Sequence, residues 1–349
     1  MTSPSPEVLL SEQGALGRIT LNRPKALNSL TLGMIREMTR ALEQWREDDR
    51  IGAVLIEGAG ERGLCAGGDI RAVHDAVKAG DVELSDTFWA EEYRLNATLP
   101  HYPKPVVALM DGICMGGGVG VSGHDSHRIV TERSKVGMPE TGIGFAPDVG
   151  GSFLLSRAPG ELGTHMALTG TPIGPGDAIH CGFADYYVPS DKLEELAGEL
   201  ATGKADEVVA GFAEQPPEPS LAAQREWIDA AFSADSVEEV LRRLRERPET
   251  AAHEAAEVIE TKSPTSLKVT LRAVRSRFDS VEQALDQEYR VSRSCVRIGD
   301  FVEGVRATLV DKDRDPKWSP SRLDEVGTEL VDKFFAPLGE GELGLSHGI

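Results

Sequence analysis

The sequence predicts an α/β fold with a mainly parallel sheet and a helical C-terminal region. Three observations carry that prediction. Short apolar runs alternate with amphipathic stretches over the first two hundred residues, glycine clusters follow two of the runs, and a proline-rich segment introduces purely helical patterning.

Leu16–Leu21 reads as a strand ending in the turn-rich Asn22-Arg23-Pro24. Ile35, Met38, Leu42 and Trp45 then recur at helical spacing among charged residues, which predicts an amphipathic helix over 32–47. Residues 53–57, apolar up to Glu57, and the wholly apolar Val106–Met110 are of strand length and read as buried strands. Residues 128–131 and 186–188 are two further strands. The segment 213–220 (AEQPPEPS) stops any helix. It sets an expected division between a core of residues 1–212, which would hold the active site, and a helical region of residues 213–349. Within the latter, 221–247, 251–259 and 266–277 read as helices, continued by 281–293 and 300–309.

A formal net charge of −20 over 349 residues argues against a nucleic-acid partner, whose phosphates would be repelled. A small anionic ligand stays open, because a few local cations and backbone N–H groups suffice to receive it. Cys65, Cys114, Cys181 and Cys295 form no CxxC pair, so buried reduced thiols are expected, with no metal site. The N-terminal MTSPSPEVLL has no basic segment leading an apolar one. No apolar run approaches the ~20 residues of a membrane span. A cytoplasmic protein without a membrane partner is the expectation.

Two segments share one design, an apolar strand delivering glycines: Cys65-Ala66-Gly67-Gly68-Asp69, and Gly112 through Gly116-Gly117-Gly118. Glycines let backbone N–H groups approach a ligand closely, and two such groups make an oxyanion hole for a carbonyl oxygen. Each cluster alone is better read as a tight bend or a site of close packing. Gly118, Gly120 and Gly123 spell a dinucleotide pattern, but too late in the chain and without its acidic partner, so a nicotinamide site fails. Glu140 and Asp148 lie eight positions apart in Met138-Pro139-Glu140-Thr141-Gly142-Ile143-Gly144-Phe145-Ala146-Pro147-Asp148-Val149-Gly150-Gly151, a stretch otherwise apolar. Burial would raise their pKa values and suit them to acid–base work. From these residues alone, capping of a helix near Gly150 by Asp148 is an equal reading.

Four motifs in order then carry a resemblance: Asn22-Arg23-Pro24-Lys25-Ala26-Leu27-Asn28, Leu64-Cys65-Ala66-Gly67-Gly68-Asp69-Ile70, the Gly116–118 triplet and Met138-Pro139-Glu140. Together they resemble the crotonase (enoyl-CoA hydratase/isomerase) superfamily over residues 16–338. The acid-bearing segment, FWAEEYRLN at 88–96 and EGVRATLVDKDRDPKW at 303–318 resemble its 3-hydroxyisobutyryl-CoA hydrolases. The resemblance implies a crotonase fold of repeated ββα units and an acyl-CoA thioester as substrate, with no cofactor beyond the CoA that the substrate brings. It implies an oxyanion hole from the N–H groups of Gly68 and Gly117, with Ala66 and Asp69 beside the substrate. It implies CoA binding at Arg23, Lys25 and Ala26, and a trimer or a pair of trimers. Hydratases carry a second catalytic glutamate at the position of Gly120, and glycine where this chain has Asp148. The resemblance therefore implies hydrolysis, with Glu140 and Asp148 catalytic and Glu92 receiving the polar end of the acyl group. Ala146 departs from the hydrolase pattern, which often has a second aromatic there. His124, His127 and Cys65 are read as structural. Hydration or isomerisation of an enoyl-CoA, and non-catalytic acyl-CoA binding, are the competing functions.

Overall fold

A computed structural model of the chain describes residues 5–347. The chain groups into two compact units, each built from several stretches. One comprises residues up to 68, 94–136 and 173–219; the other comprises 69–93, 137–172 and 220 onward. Residues 69–93 and 137–172 thus group with the C-terminal helices, although they precede the boundary expected at 212/213.

The first unit is organised by a six-stranded sheet in the order β1-β2-β3-β5-β7-β9. β1 (Val8–Gln13) and β2 (Leu16–Leu21) form an antiparallel hairpin, turned at Gly14 with φ 58°. β3 (Ala53–Gly58), β5 (Val106–Met110), β7 (His127–Val130) and β9 (Tyr186–Tyr187) add on in parallel. On one face the alternate residues Ala53, Leu55, Val107, Leu109 and Ile129 meet Leu196, Leu200 and Val209 of two helices. Each such buried leucine is worth about 1.5–3 kcal/mol relative to exposure. The expected helix runs Leu32–Arg46, with the Thr31 side chain accepting from the Met34 N–H at its start.

A second, three-stranded sheet was not foreseen. It orders β4 (Gly63–Cys65), β6 (Ile113–Met115) and β8 (Lys135–Gly137) side by side. Pairs β1β2, β3β4 and β5β6 are each followed by a helix, Leu32–Arg46, Ile70–Lys78 and Gly117–Gly120, so the ββα repetition holds.

The second unit is mainly helical. Helix Val281–Ile298 packs on Gly151–Arg157, and Pro264–Arg275 packs on Gly151–Arg157 and Leu162–Thr169. The expected helical stretch 221–247 is three helices, Ser220–Ala223, Arg225–Phe232 and Val237–Glu246. Ser236 begins the last by accepting from the Glu239 N–H, which interrupts the apolar periodicity the sequence presents. Asp300 and Gly304 press on the turn Glu140–Ile143: a Cβ at Gly304 would lie 2.2 Å from the Ile143 carbonyl carbon.

Candidate active site

The first unit holds the glycine segments. β4 and β6 are adjacent and parallel, so both deliver their glycines at the same end of the small sheet. The loops then run side by side: a Cβ built on Gly67 would lie 3.7 Å from the Met115 carbonyl and 3.9 Å from the Gly117 nitrogen. Gly67 has φ 111° and Gly116 φ 50°, conformations that favour glycine. The Leu30 N–H donates to the Gly67 carbonyl in a parallel bridge that includes Gly68. Gly117 opens its short helix, so its N–H has no acceptor within that helix.

The Arg23–Asn28 turn is held from within. The Asn28 side chain accepts from the Arg23 N–H at 2.9 Å and donates to the carbonyls of Ala59 and Gly63 at 3.0 and 3.1 Å. Arg23 pairs with Glu7 at 3.1 Å and donates to the Ser29 carbonyl at 2.6 Å. Its guanidinium therefore braces the turn, while Lys25 and Ala26 are exposed on it. Ala66 is tied to the same turn through its N–H to the Leu27 carbonyl at 3.0 Å. Asp69 caps helix Ile70–Lys78 by accepting from the Ala72 N–H at 3.3 Å.

The second unit holds the acids. Glu140 is 6% exposed, Asp148 6% and Glu92 2%, so none is a solvated surface acid. Asp148 does not cap the following helix, whose N-cap is Gly150 with no side-chain cap. Its Oδ2 accepts instead from the Tyr93 hydroxyl at 2.7 Å. Oε1 of Glu92 and Oε2 of Glu140 have no hydrogen-bond partner among the described residues.

Burial pushes the Asp148 carboxyl up to about 7, while the Tyr93 hydroxyl pulls it back. Burial first, then the charge of Asp148, holds Glu140 well above the usual carboxylate range, with Glu288 and Glu92 adding to it. Burial and then Asp148 raise Glu92 in the same way. Like charges gathered in a low-dielectric site cannot all ionise, so the free protein keeps protons here near neutral pH.

The family model described as enoyl-CoA hydratase/isomerase matches residues 16–335. The chain belongs to the enoyl-CoA hydratase/isomerase family. Among its relatives, the mitochondrial 3-hydroxyisobutyryl-CoA hydrolase of Danio rerio is 46% identical across 97% of this chain and 92% of its own length. The Homo sapiens protein of that name is 42% identical, covering 98% and 92%. The solved structure of a carnitinyl-CoA dehydratase from Mycobacterium thermoresistibile matches with TM-score 0.94 at 50% identity, covering 97% of this chain and 98% of that one. An enoyl-CoA hydratase from Rhodobacter sphaeroides 2.4.1 matches with TM-score 0.92 at 40% identity, covering 97% and 99%. The crotonase fold and the likeness to 3-hydroxyisobutyryl-CoA hydrolases are both borne out.

In this member of the enoyl-CoA hydratase/isomerase family, position 120 is a glycine buried in the helix Gly117–Gly120, so no acid stands there. His127 is structural, with Nε2 2.8 Å from Asp206 and Nδ1 2.9 Å from the Ser126 hydroxyl. Cys65 exchanges contacts with the Gly67 backbone at 3.4 Å and is buried, as are the other three cysteines. Phe145 stacks on Trp89 at 5.3 Å and meets Phe301 at 5.6 Å. Sequence reading missed Tyr93, Ser292 and Glu288. Tyr93 lies in the FWAEEYRLN motif beside Glu92, a signal that was available. Glu288 is set among other charged residues of its helix and gives no such sign.

Gly118 carries the close approach of the two glycine loops, since a Cβ there would sit 2.3 Å from the Cys65 carbonyl oxygen. The obstacle is backbone and cannot rotate away. Gly118→Ala is expected to cost about 1–3 kcal/mol, the range for overpacking a tight interior. Denaturant unfolding measures it; a variant as stable as the wild type contradicts this account of the loops.

Proposed function

We propose that the chain hydrolyses a short-chain acyl-CoA thioester, converting 3-hydroxyisobutyryl-CoA to 3-hydroxyisobutyrate and CoA, a reaction of valine catabolism. The observation that carries this reading is the buried Glu140–Asp148 pair, taken together with a glycine rather than an acid at position 120. The hydratase's second acid is missing, while an acid that hydratases lack stands ready.

In this reading the N–H groups of Gly68 and Gly117 receive the thioester carbonyl oxygen as negative charge develops on it. One such donor is worth about 3 kcal/mol of transition-state stabilisation. Glu140, once ionised, attacks the carbonyl carbon or takes a proton from the water that does. The carbon–sulfur bond then breaks, and CoA leaves as a thiolate that takes up a proton. In the nucleophilic route, water next cleaves the acyl anhydride and regenerates Glu140. Asp148 orients the water and relays its proton. The unpartnered Oε1 of Glu92 accepts from the acyl hydroxyl. Lys25 offers local positive charge to the CoA phosphates, with Ala26, Ala66 and Asp69 lining the path. Arg23 serves that end mainly by holding the turn. No metal and no cofactor beyond substrate CoA belongs to this scheme.

Hydration is the second reading, favoured by the names of the two solved structures, a dehydratase and a hydratase. A thiol-release assay decides between them. Short 3-hydroxyacyl-CoA thioesters should yield free thiol, and enoyl-CoA should show no hydration. Hydration without thiol release would sink the hydrolase reading. Anhydride trapping at Glu140 with a slow substrate separates the nucleophile from the general base.

No described helix is long and apolar enough to cross a membrane. A cytoplasmic location belongs to the proposal and is checked by fractionation, since the relatives are named mitochondrial. A homotrimer or pair of trimers also belongs to it, checked by light scattering.

A further inference from the structure

Glu288 lies on helix Val281–Ile298, is 2% exposed, and plays no part in the scheme above. Its Oε2 accepts from the Gly150 N–H at 2.7 Å. Its Oε1 accepts from the Ser152 N–H at 2.9 Å and the Ser152 hydroxyl at 2.5 Å. These donors belong to the residues directly after Asp148, where Val149 (φ 53°) and Gly150 (φ 77°) are both left-handed. A β-branched residue in that region persists only when its surroundings hold it.

One turn further along the helix, Ser292 lies 2.6 Å from the Tyr93 hydroxyl. A phenol has one proton to donate, and Tyr93 gives it to Asp148, so the Ser292 hydroxyl donates to Tyr93. The helix thus reaches Asp148 twice, through the backbone that follows it and through its carboxylate.

We propose that Glu288 is a positioning residue of the hydrolytic site: with Ser292 and Tyr93 it clamps the strained 148–152 turn and fixes where the Asp148 carboxylate points. This rests on the reading of Asp148 as half of the hydrolytic pair. The clamp works through three donors converging on two oxygens. An amide in place of the carboxyl would turn an N–H donor against the N–H of Gly150 or of Ser152, releasing one side of the turn.

The test uses the full chain and a short 3-hydroxyacyl-CoA thioester. Glu288→Gln should lower kcat by about 10²-fold, the typical penalty for an ångström of misplacement, with KM within about twofold. Its folding should remain cooperative. Tyr93→Phe tests the other arm should Glu288→Gln fail to fold. Asp148 is faced by Tyr93 and Glu92 from helix Val82–Thr98, by Glu140 from the preceding turn, and by Glu288 and Cys295 from helix Val281–Ile298. Of these, the Tyr93 hydroxyl donates to the carboxylate and lowers its pKa, so its loss should move the acid limb of kcat/KM to higher pH. A merely structural tyrosine would leave that limb in place. Wild-type protein that releases no thiol overturns the hydrolytic reading and this proposal with it. Wild-type turnover with Glu288→Gln at full kcat, or with Tyr93→Phe at an unmoved acid limb, overturns this proposal alone.

Discussion

Glu140→Gln is expected to lower kcat for thioester hydrolysis by about 10²–10⁴-fold, the usual contribution of a positioned general acid or base. The substitution keeps shape and removes the carboxylate. It should leave the fold intact and raise the melting temperature slightly. The reason is the environment: Glu140 is buried, its Oε2 has no hydrogen-bond partner among the described residues, and three other acids act on it. Ionising such a group is unfavourable, and a neutral amide avoids that cost. Function and stability then pull in opposite directions at one residue, the pattern expected of a catalytic site. Steady-state thiol release and thermal denaturation on the same preparation check both halves. Full activity in Glu140→Gln refutes the assignment.

Much of this was legible in the sequence, and the failures have physical causes. The strands of the large sheet announced themselves because the first four residues of β3 and all of β5 are buried and read as apolar runs. β4, β6 and β8 are three residues each, too short for any periodicity, yet they aim both glycine loops. The glycines were visible; their delivery by neighbouring parallel strands was not. The acids divide similarly. Glu140 and Asp148 stood out against glycine and proline. Glu288 did not, because a helix with charge on one face looks the same whether one of its acids is buried or solvated. Its partners at 150 and 152 are 138 and 136 residues away in sequence, and only the fold brings them together. Arg23 has a further part that its motif does not announce: its contacts with Glu7 and Ser29 brace the turn.

Asp148→Asn should also lower kcat by about 10²–10⁴-fold while changing the pH dependence in two separable ways. In the proposed scheme both acids work as carboxylates, and both are raised, Asp148 to about 7. Wild-type kcat/KM should therefore climb with pH through neutrality. After burial, the Asp148 charge is the largest cause raising Glu140, so its removal should move the residual acid limb to lower pH. In stability, the direction is reversed. Asp148 at about 7 binds a proton in the folded protein that the unfolded chain, near 4, has already released. Its contribution is complete below about pH 4 and is lost as pH rises through 7, with a slope of up to ~1.4 kcal/mol per pH unit. Ion-paired surface acids such as Asp48 and Glu239, pulled down to about 2, titrate below this window and do not mask it. The wild type should thus lose melting temperature as pH rises from about 4 through 7, and Asp148→Asn should lose less. A variant whose stability profile parallels the wild type would mean that Asp148 is ionised in the folded protein well below neutrality, contrary to its burial.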